Sequence, residues 1–107
     1  IVVPVGGGGL ISGIAYTAKK IRPSVKVYGV QVTGAPSMYN SLKNGKIKSL
    51  KSVSTIADGI AVKKPGDNTY EYVKKYVDEI ALVSDDEVSS AILALMEKQK
   101  MKRSIQI

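Results

Sequence analysis

Four consecutive glycines, Gly6-Gly7-Gly8-Gly9, stand between the apolar run Ile1-Val2-Val3-Pro4-Val5 and an amphipathic segment that opens at Leu10. Glycine has no Cβ, so successive residues can take positive φ and the backbone can turn its N–H groups onto a ligand at close range. A helix starting directly after such a turn adds unpaired amides and roughly half a positive charge at its N-terminus, which favours a phosphate dianion. A bare chain reversal is the rival reading, but it needs fewer glycines, and each extra one costs about 0.5–1 kcal/mol of backbone entropy relative to alanine. The stretch from Gly6 to Leu10 therefore reads as an anion cradle.

Other chemistry is sparse. The chain contains no Cys and no His. That removes disulfides, thiolate and imidazole metal sites, and Ser-His or Cys-His nucleophiles within these residues. Asp58-Gly59, inside the small apolar run Ser54–Val62, places one carboxylate beside a glycine, a pairing that ordinary turns also use. The net charge of +7 comes almost wholly from lysines in scattered pairs (Lys19-Lys20, Lys63-Lys64, Lys74-Lys75) and a cluster at Lys43, Lys46, Lys48 and Lys51. Without a recognisable binding motif, this pattern describes solvated faces, and no nucleic-acid partner is expected.

The elements that must position the glycines follow from periodicity. Ile1–Val5 reads as a strand, with Pro4 in tension because proline donates no ladder hydrogen bond. Leu10, Ile11, Ile14, Ala15, Ala18 and Ile21 recur at helical spacing, with Lys19, Lys20 and Arg22 at the negative end and Pro23 as the stop. Val25–Val32 reads as a second, largely buried strand, and strand-helix-strand at this spacing is the right-handed parallel crossover. The fold class is α/β, an open and mostly parallel sheet with flanking helices. A short helix over Ser37–Leu42 should end in a left-handed residue at Asn44-Gly45, and Gly45–Ser54 should be exposed. Asp67 is positioned to cap a helix burying Tyr70, Val73 and Val77. A third strand is expected over Glu79–Val83. Ser84-Asp85-Asp86-Glu87 has capping-box spacing, opening a helix that buries Val88, Ala91, Ile92, Leu95 and Met96.

The 107 residues, 44% of them hydrophobic, fit one small domain, but the chain opens inside a strand without methionine, as a piece of a larger protein would. It has no apolar run near the roughly 20 residues that span a bilayer and no signal-peptide pattern, so no membrane partner is expected.

The ligand can be narrowed. A dinucleotide loop requires Gly-x-Gly-x-x-Gly, and no register through Gly6–Gly9 supplies it; Gln31 also stands where an acidic residue would hold a ribose. A P-loop would need Gly-Lys-Ser or Gly-Lys-Thr, which is absent. The ordered set Val3-Pro4-Val5-Gly6-Gly7-Gly8-Gly9-Leu10-Ile11-Ser12-Gly13-Ile14-Ala15, then Val27-Tyr28-Gly29-Val30-Gln31, then Thr55-Ile56-Ala57-Asp58-Gly59-Ile60-Ala61-Val62, closely resembles the threonine/serine dehydratases. These are pyridoxal-phosphate enzymes of the tryptophan-synthase-β type. The resemblance covers residues 1 to about 100, ending with Asp85-Asp86-Glu87 and its helix.

This resemblance implies that Gly6, Gly7, Gly8, Gly9 and Leu10 bind the phosphate of pyridoxal 5′-phosphate through backbone amides. It implies that the Asp58-Gly59 stretch lines the cofactor cleft; Asp58 either holds the loop, the favoured role, or acts directly. Residues 1–107 would form the C-terminal portion of the large cofactor-binding domain. The family's Schiff-base lysine sits in a serine-containing segment upstream of the glycine loop, and no lysine here does, so no catalytic residue is expected in this chain. The implied reaction is deamination of threonine to 2-oxobutanoate and ammonia, or of serine to pyruvate, with a place in isoleucine biosynthesis. The implied setting is a cytoplasmic homo-oligomer, dimer or tetramer, acting on a small amino-acid substrate. Relatives that bind a divalent cation use carboxylates just after the second strand, where Gln31 and Ser37 stand here, so no metal is expected there. A serine racemase-like enzyme and a non-catalytic phosphate-binding module are the alternatives. The tail Met101–Ile107 departs from the family pattern and carries no functional expectation.

Overall fold

The computed structural model of the chain describes residues 1–99. Its centre is a three-stranded parallel sheet in the order β1 (Val2–Pro4), β2 (Tyr28–Val32), β3 (Glu79–Val83). β1 pairs with β2 from Val2 opposite Tyr28 to Pro4 opposite Val30, and β2 pairs with β3 from Tyr28 opposite Glu79 to Val32 opposite Val83. Parallel neighbours need crossover connections. α1 (Gly9–Ile21) supplies the first, and α2 (Ser37–Asn44) and α3 (Asp67–Tyr76) lie within the second, while α4 (Asp85–Gln99) follows β3. This is the expected open, parallel α/β arrangement.

Pro4 is tolerated because of strand geometry. The Val5 N–H donates to the Val30 carbonyl at 2.9 Å, so the nitrogen of Pro4, one residue earlier, faces the opposite side of the strand, away from β2. β2 is shorter than its sequence suggests. Val25 N–H turns back to the Arg22 carbonyl at 3.0 Å, and Val27 N–H is taken at 2.8 Å by the Asp78 carboxylate, so the ladder begins only at Tyr28. Tyr28 itself is exposed rather than buried.

The core lies on one face of the sheet, where Val3, Val5 and Ile80 meet Ile11 and Ala15 of α1, Met38 of α2, and Tyr70 and Val73 of α3. Ile11 and Ala15 are four residues apart and share one helix face. α1 and α3 lie side by side, with the rings of Tyr16 and Tyr76 edge-on at 5.4 Å. Lys19 near the end of α1 pairs with Asp78 at 2.8 Å. α2 ends at Gly45 with φ 74°, the expected left-handed stop.

Two helix expectations need correction. Gly66, with φ −71° and ψ 151°, is the N-cap of α3, and Asp67 is its first helical residue with no side-chain capping bond. There its charge still meets the positive end of the helix. For α4, the capping box forms as expected: Ser84 N–H donates to Glu87 Oε1 at 2.8 Å and Glu87 N–H to Ser84 Oγ at 3.1 Å. Its apolar face is nevertheless not buried. Val88 is half-buried and Ala91 is exposed, as are Ile92, Leu95 and Met96, because α1, α2 and α3 already close the core and nothing among the described residues covers this helix. The tail Met101–Ile107 lies outside the described residues.

Candidate functional site

The glycine run forms the turn from β1 into α1. Gly8 is the N-cap of α1 with φ 102° and ψ 0°, and no side chain caps the helix. It is the one residue of the run with positive φ. The expected succession of left-handed residues is therefore replaced by a single one, after which the chain is helical, and that suffices to swing the backbone from strand to helix.

The loop carbonyls all point into protein. Gln31 Nε2 donates to the Val5 carbonyl at 3.1 Å and lies 3.5 Å from that of Gly6. The Gly7 carbonyl accepts from Thr69 Oγ1 at 2.6 Å and from Gly66 N–H at 3.1 Å. The Gly8 carbonyl accepts from Ser12 N–H at 3.0 Å. None of these bonds uses the N–H of Gly6, Gly7, Gly8, Gly9 or Leu10 as donor. The amides of Gly9 and Leu10 belong to the first helical turn, where no intrahelical acceptor exists.

The four glycines divide by their surroundings. A Cβ on Gly6 would lie 3.2 Å from Val62 Cγ2 and 3.4 Å from the Gly59 carbonyl oxygen, and one on Gly8 would lie 2.7 Å from Met38 Cε and 3.0 Å from Thr69 Cβ. Gly7 and Gly9 face open space, with no atom within 4 Å of such a Cβ. Gly6 thus permits a close approach and Gly8 a left-handed turn.

The run forms one wall of an open cleft of about 430 Å³, with Pro4, Leu10 and Ile11 beside it and Gly59 and Ile60 opposite. The opposite wall is a 3₁₀ turn, Asp58–Ile60. It is held in place by Asp85, whose carboxylate accepts from Thr55 Oγ1 at 2.5 Å and from Ile56 N–H at 3.1 Å, while Thr55 Oγ1 also accepts from Ala57 N–H at 3.0 Å. Asp58 is exposed and contributes its carbonyl to Ala61 N–H, not its carboxylate to the cleft. Among the described residues, no acidic side chain lines this cleft or stands in the first turn of α1. Amides with no acceptor and a helix N-terminus, with no carboxylate beside them among the described residues, fit a phosphate group.

The structure thus brings Gly6, Gly7, Gly8, Gly9 and Leu10 together at one cleft, and sets Gly59 across from them. Three residues that support this arrangement were not singled out for it by the sequence. Gln31 is fully buried and ties the loop to α2, its Oε1 accepting from Tyr39 N–H at 2.8 Å; an amide between two valines of a buried strand was the available signal. Asp85 reads as part of a capping box and also fixes the 3₁₀ wall. Thr69 carries no local signal, since its role depends on packing 62 residues from Gly7.

The family model described as pyridoxal-phosphate dependent enzyme matches residues 1–102. The chain is 54% identical over 101 residues to L-threonine ammonia-lyase of Thermotoga maritima, a match that covers 94% of this chain and 25% of that protein. The chain thus spans about a quarter of the length of that relative. Among solved structures, the processed form of threonine deaminase isoform 2 from Solanum lycopersicum superposes with a TM-score of 0.87 at 42% identity, covering 90% of this chain and 26% of that one. Maize serine racemase superposes with a TM-score of 0.80 at 37% identity, covering 98% of this chain and 32% of that one.

Proposed function

We propose that this chain supplies the cofactor-phosphate loop of a threonine ammonia-lyase, and the premise is its membership: the chain belongs to the pyridoxal-phosphate dependent enzyme family. The observation that carries the proposal is the set of amides from Gly6 to Leu10, which donate to no acceptor among the described residues, on a cleft whose described lining has no carboxylate. In this reading Gly6, Gly7, Gly8, Gly9 and Leu10 hold the phosphate of pyridoxal 5′-phosphate, and the N-terminus of α1 neutralises part of its charge. When bound, the cofactor supplies the electron sink that lets a proton leave the α-carbon of an amino acid.

This chain's own work is binding and orientation. The loop amides grip the phosphate, and the 3₁₀ turn with Ile60 closes the cleft from the other side. No lysine among the described residues lines the cleft, and in this reading the group that removes the α-proton comes from outside residues 1–107. Those residues form the C-terminal portion of the larger cofactor-binding domain. The identity to L-threonine ammonia-lyase favours threonine as substrate; serine as the alternative substrate, a homo-oligomeric assembly, a cytoplasmic setting and a step in isoleucine biosynthesis are part of the same proposal. The likeness to maize serine racemase favours racemisation of serine as the second reading.

The experiment is an absorbance spectrum of the purified protein that contains this chain, followed by addition of threonine. The expected result is a visible cofactor band that shifts on addition, with 2-oxobutanoate and ammonia accumulating. D-serine formed from L-serine without 2-oxobutanoate would favour the racemase. No chromophore after incubation with pyridoxal phosphate would overturn both.

A further inference from the structure

We infer that Thr69 is a positioning residue for the bound phosphate, its hydroxyl fixing the Gly7–Gly8 peptide so that the Gly8 N–H, and not the Gly7 carbonyl, faces the cleft. The inference rests on the cofactor reading above. Its starting point is a weakness of glycine. The peptide joining two glycines can rotate by about half a turn at little steric cost, because neither neighbour has a Cβ to oppose it. One orientation offers an anion a donor, and the other offers it the negative end of a carbonyl. The same freedom that shapes the loop leaves this choice open, so something outside the glycines must make it.

Thr69 makes it from the first turn of α3. Its Oγ1 lies 2.6 Å from the Gly7 carbonyl oxygen and 3.1 Å from that of Gly66. A hydroxyl has one proton to donate, and the shorter distance assigns it to Gly7. Gly66 N–H reaches the same Gly7 carbonyl at 3.1 Å, so that oxygen is satisfied twice on the side of α3. No peptide bond among the described residues is cis, and in a trans peptide the N–H points opposite to the carbonyl. Gly8 N–H therefore points away from α3. Gly8 lines the cleft, whereas neither Thr69 nor Gly66 does. Thr69 is held on the far side of the loop by its helix and by Ser12 Oγ, 3.4 Å from its carbonyl. Its Cβ would lie only 3.0 Å from a Cβ on Gly8, so it also leaves the loop no room to slide toward α3.

The test compares Thr69→Val, which keeps the β-branched shape, with Thr69→Ser, which keeps the hydroxyl, in the full enzyme prepared without cofactor. Three quantities are measured: the dissociation constant for pyridoxal phosphate, the ³¹P resonance of the bound phosphate, and the melting temperature without cofactor. Thr69→Val is expected to weaken cofactor binding roughly tenfold to a hundredfold, the scale of one hydrogen bond to a charged group, and to shift the ³¹P resonance. Thr69→Ser is expected to stay within about twofold of the parent, since the hydroxyl is retained. A residue that only stabilised the fold would lower the melting temperature and leave the ³¹P resonance in place. Parent-like binding by Thr69→Val, or equal weakening by Thr69→Ser, overturns the inference while leaving the functional reading intact. A parent enzyme that binds no pyridoxal phosphate overturns the functional reading itself. If Thr69→Val does not fold, Thr69→Ala against Thr69→Ser makes the same comparison.

Discussion

Replacing Gly8 with alanine tests whether the loop's shape depends on this one residue. Gly8 has φ 102°, and a Cβ there would meet Met38 Cε at 2.7 Å and Thr69 Cβ and Oγ1 at 3.0 Å each. The left-handed backbone alone costs an L-residue about 1–2 kcal/mol. Met38 Cε is the end of a flexible chain and can move, but Thr69 is β-branched and fixed on α3, so the overpacking is only partly relieved and adds about 1–3 kcal/mol. The sum, roughly 2–5 kcal/mol, is a large share of the 5–15 kcal/mol by which folded domains are usually stable. The assay is urea unfolding of the cofactor-free protein, read as a lower midpoint at unchanged slope. Gly9→Ala is the internal control. No atom lies within 4 Å of its Cβ, and it sits in α1 where alanine is the better helix former, so stability should change by no more than about 1 kcal/mol in either direction. If Gly8→Ala proves no more destabilising than Gly9→Ala, the assignment of Gly8 as the conformational hinge of the loop is refuted.

Two further expectations concern the frame around the site. The Lys19 ammonium and the Val27 N–H, both bonded to Asp78, hold its carboxyl below the usual aspartate range. A depressed pKa contributes stability that is fully present above the unfolded-state value and is lost as pH falls through the folded-state value. Asp78→Asn should therefore be less stable than the parent near neutrality, and the gap should narrow in acid below the ordinary aspartate pKa; a gap constant with pH would contradict this. Asp85→Ala removes the acceptor for Thr55 Oγ1 and Ile56 N–H, a loss of about 1.5–3 kcal/mol per charged hydrogen bond. Hydrogen exchange should accelerate at the Ile56 amide, and unchanged protection there would show that Asp85 does not hold the 3₁₀ wall.

Much of this arrangement is legible in the chain because it is local. The glycine turn, the left-handed stop at Gly45, the Ser84–Glu87 box and the middle of the α1 stripe are all decided within a few residues, where propensity and capping act; the ends of that stripe, Leu10 and Ile21, are exposed and not packed against the core. The errors lie where a distant group intervened. Val25–Val27 has strand composition, but Asp78 takes the Val27 amide and delays β2. Asp67 is a good capping residue, yet Gly66 takes the cap, with its N–H bonded to the carbonyl of Gly7, far back in the chain. α4 has an apolar stripe by spacing, but a stripe says only that a face is apolar and not that any partner lies over it. Among the described residues none does, and Ile92, Leu95 and Met96 stay exposed.

The same distinction explains how the site is assembled. Counting glycines identifies a loop able to bind an anion, but ability and orientation are separate properties. Orientation comes from three anchors remote in sequence: Gln31 holds the loop's first carbonyls from 26 and 25 residues away, Thr69 holds Gly7 from 62, and the opposite wall is tied by a Thr55–Asp85 bond spanning 30. Each anchor is presented by the fold, Gln31 by β2, Thr69 by α3 and Asp85 by the start of α4. A peptide containing only Gly6–Leu10 would sample carbonyl-in and amide-in orientations alike. Packing α3 against α1 selects the second. Because a ligand that binds only the folded state stabilises it in turn, a phosphate held by these amides, as proposed, would couple its binding to the packing of α3, although no described residue of α3 lines the cleft.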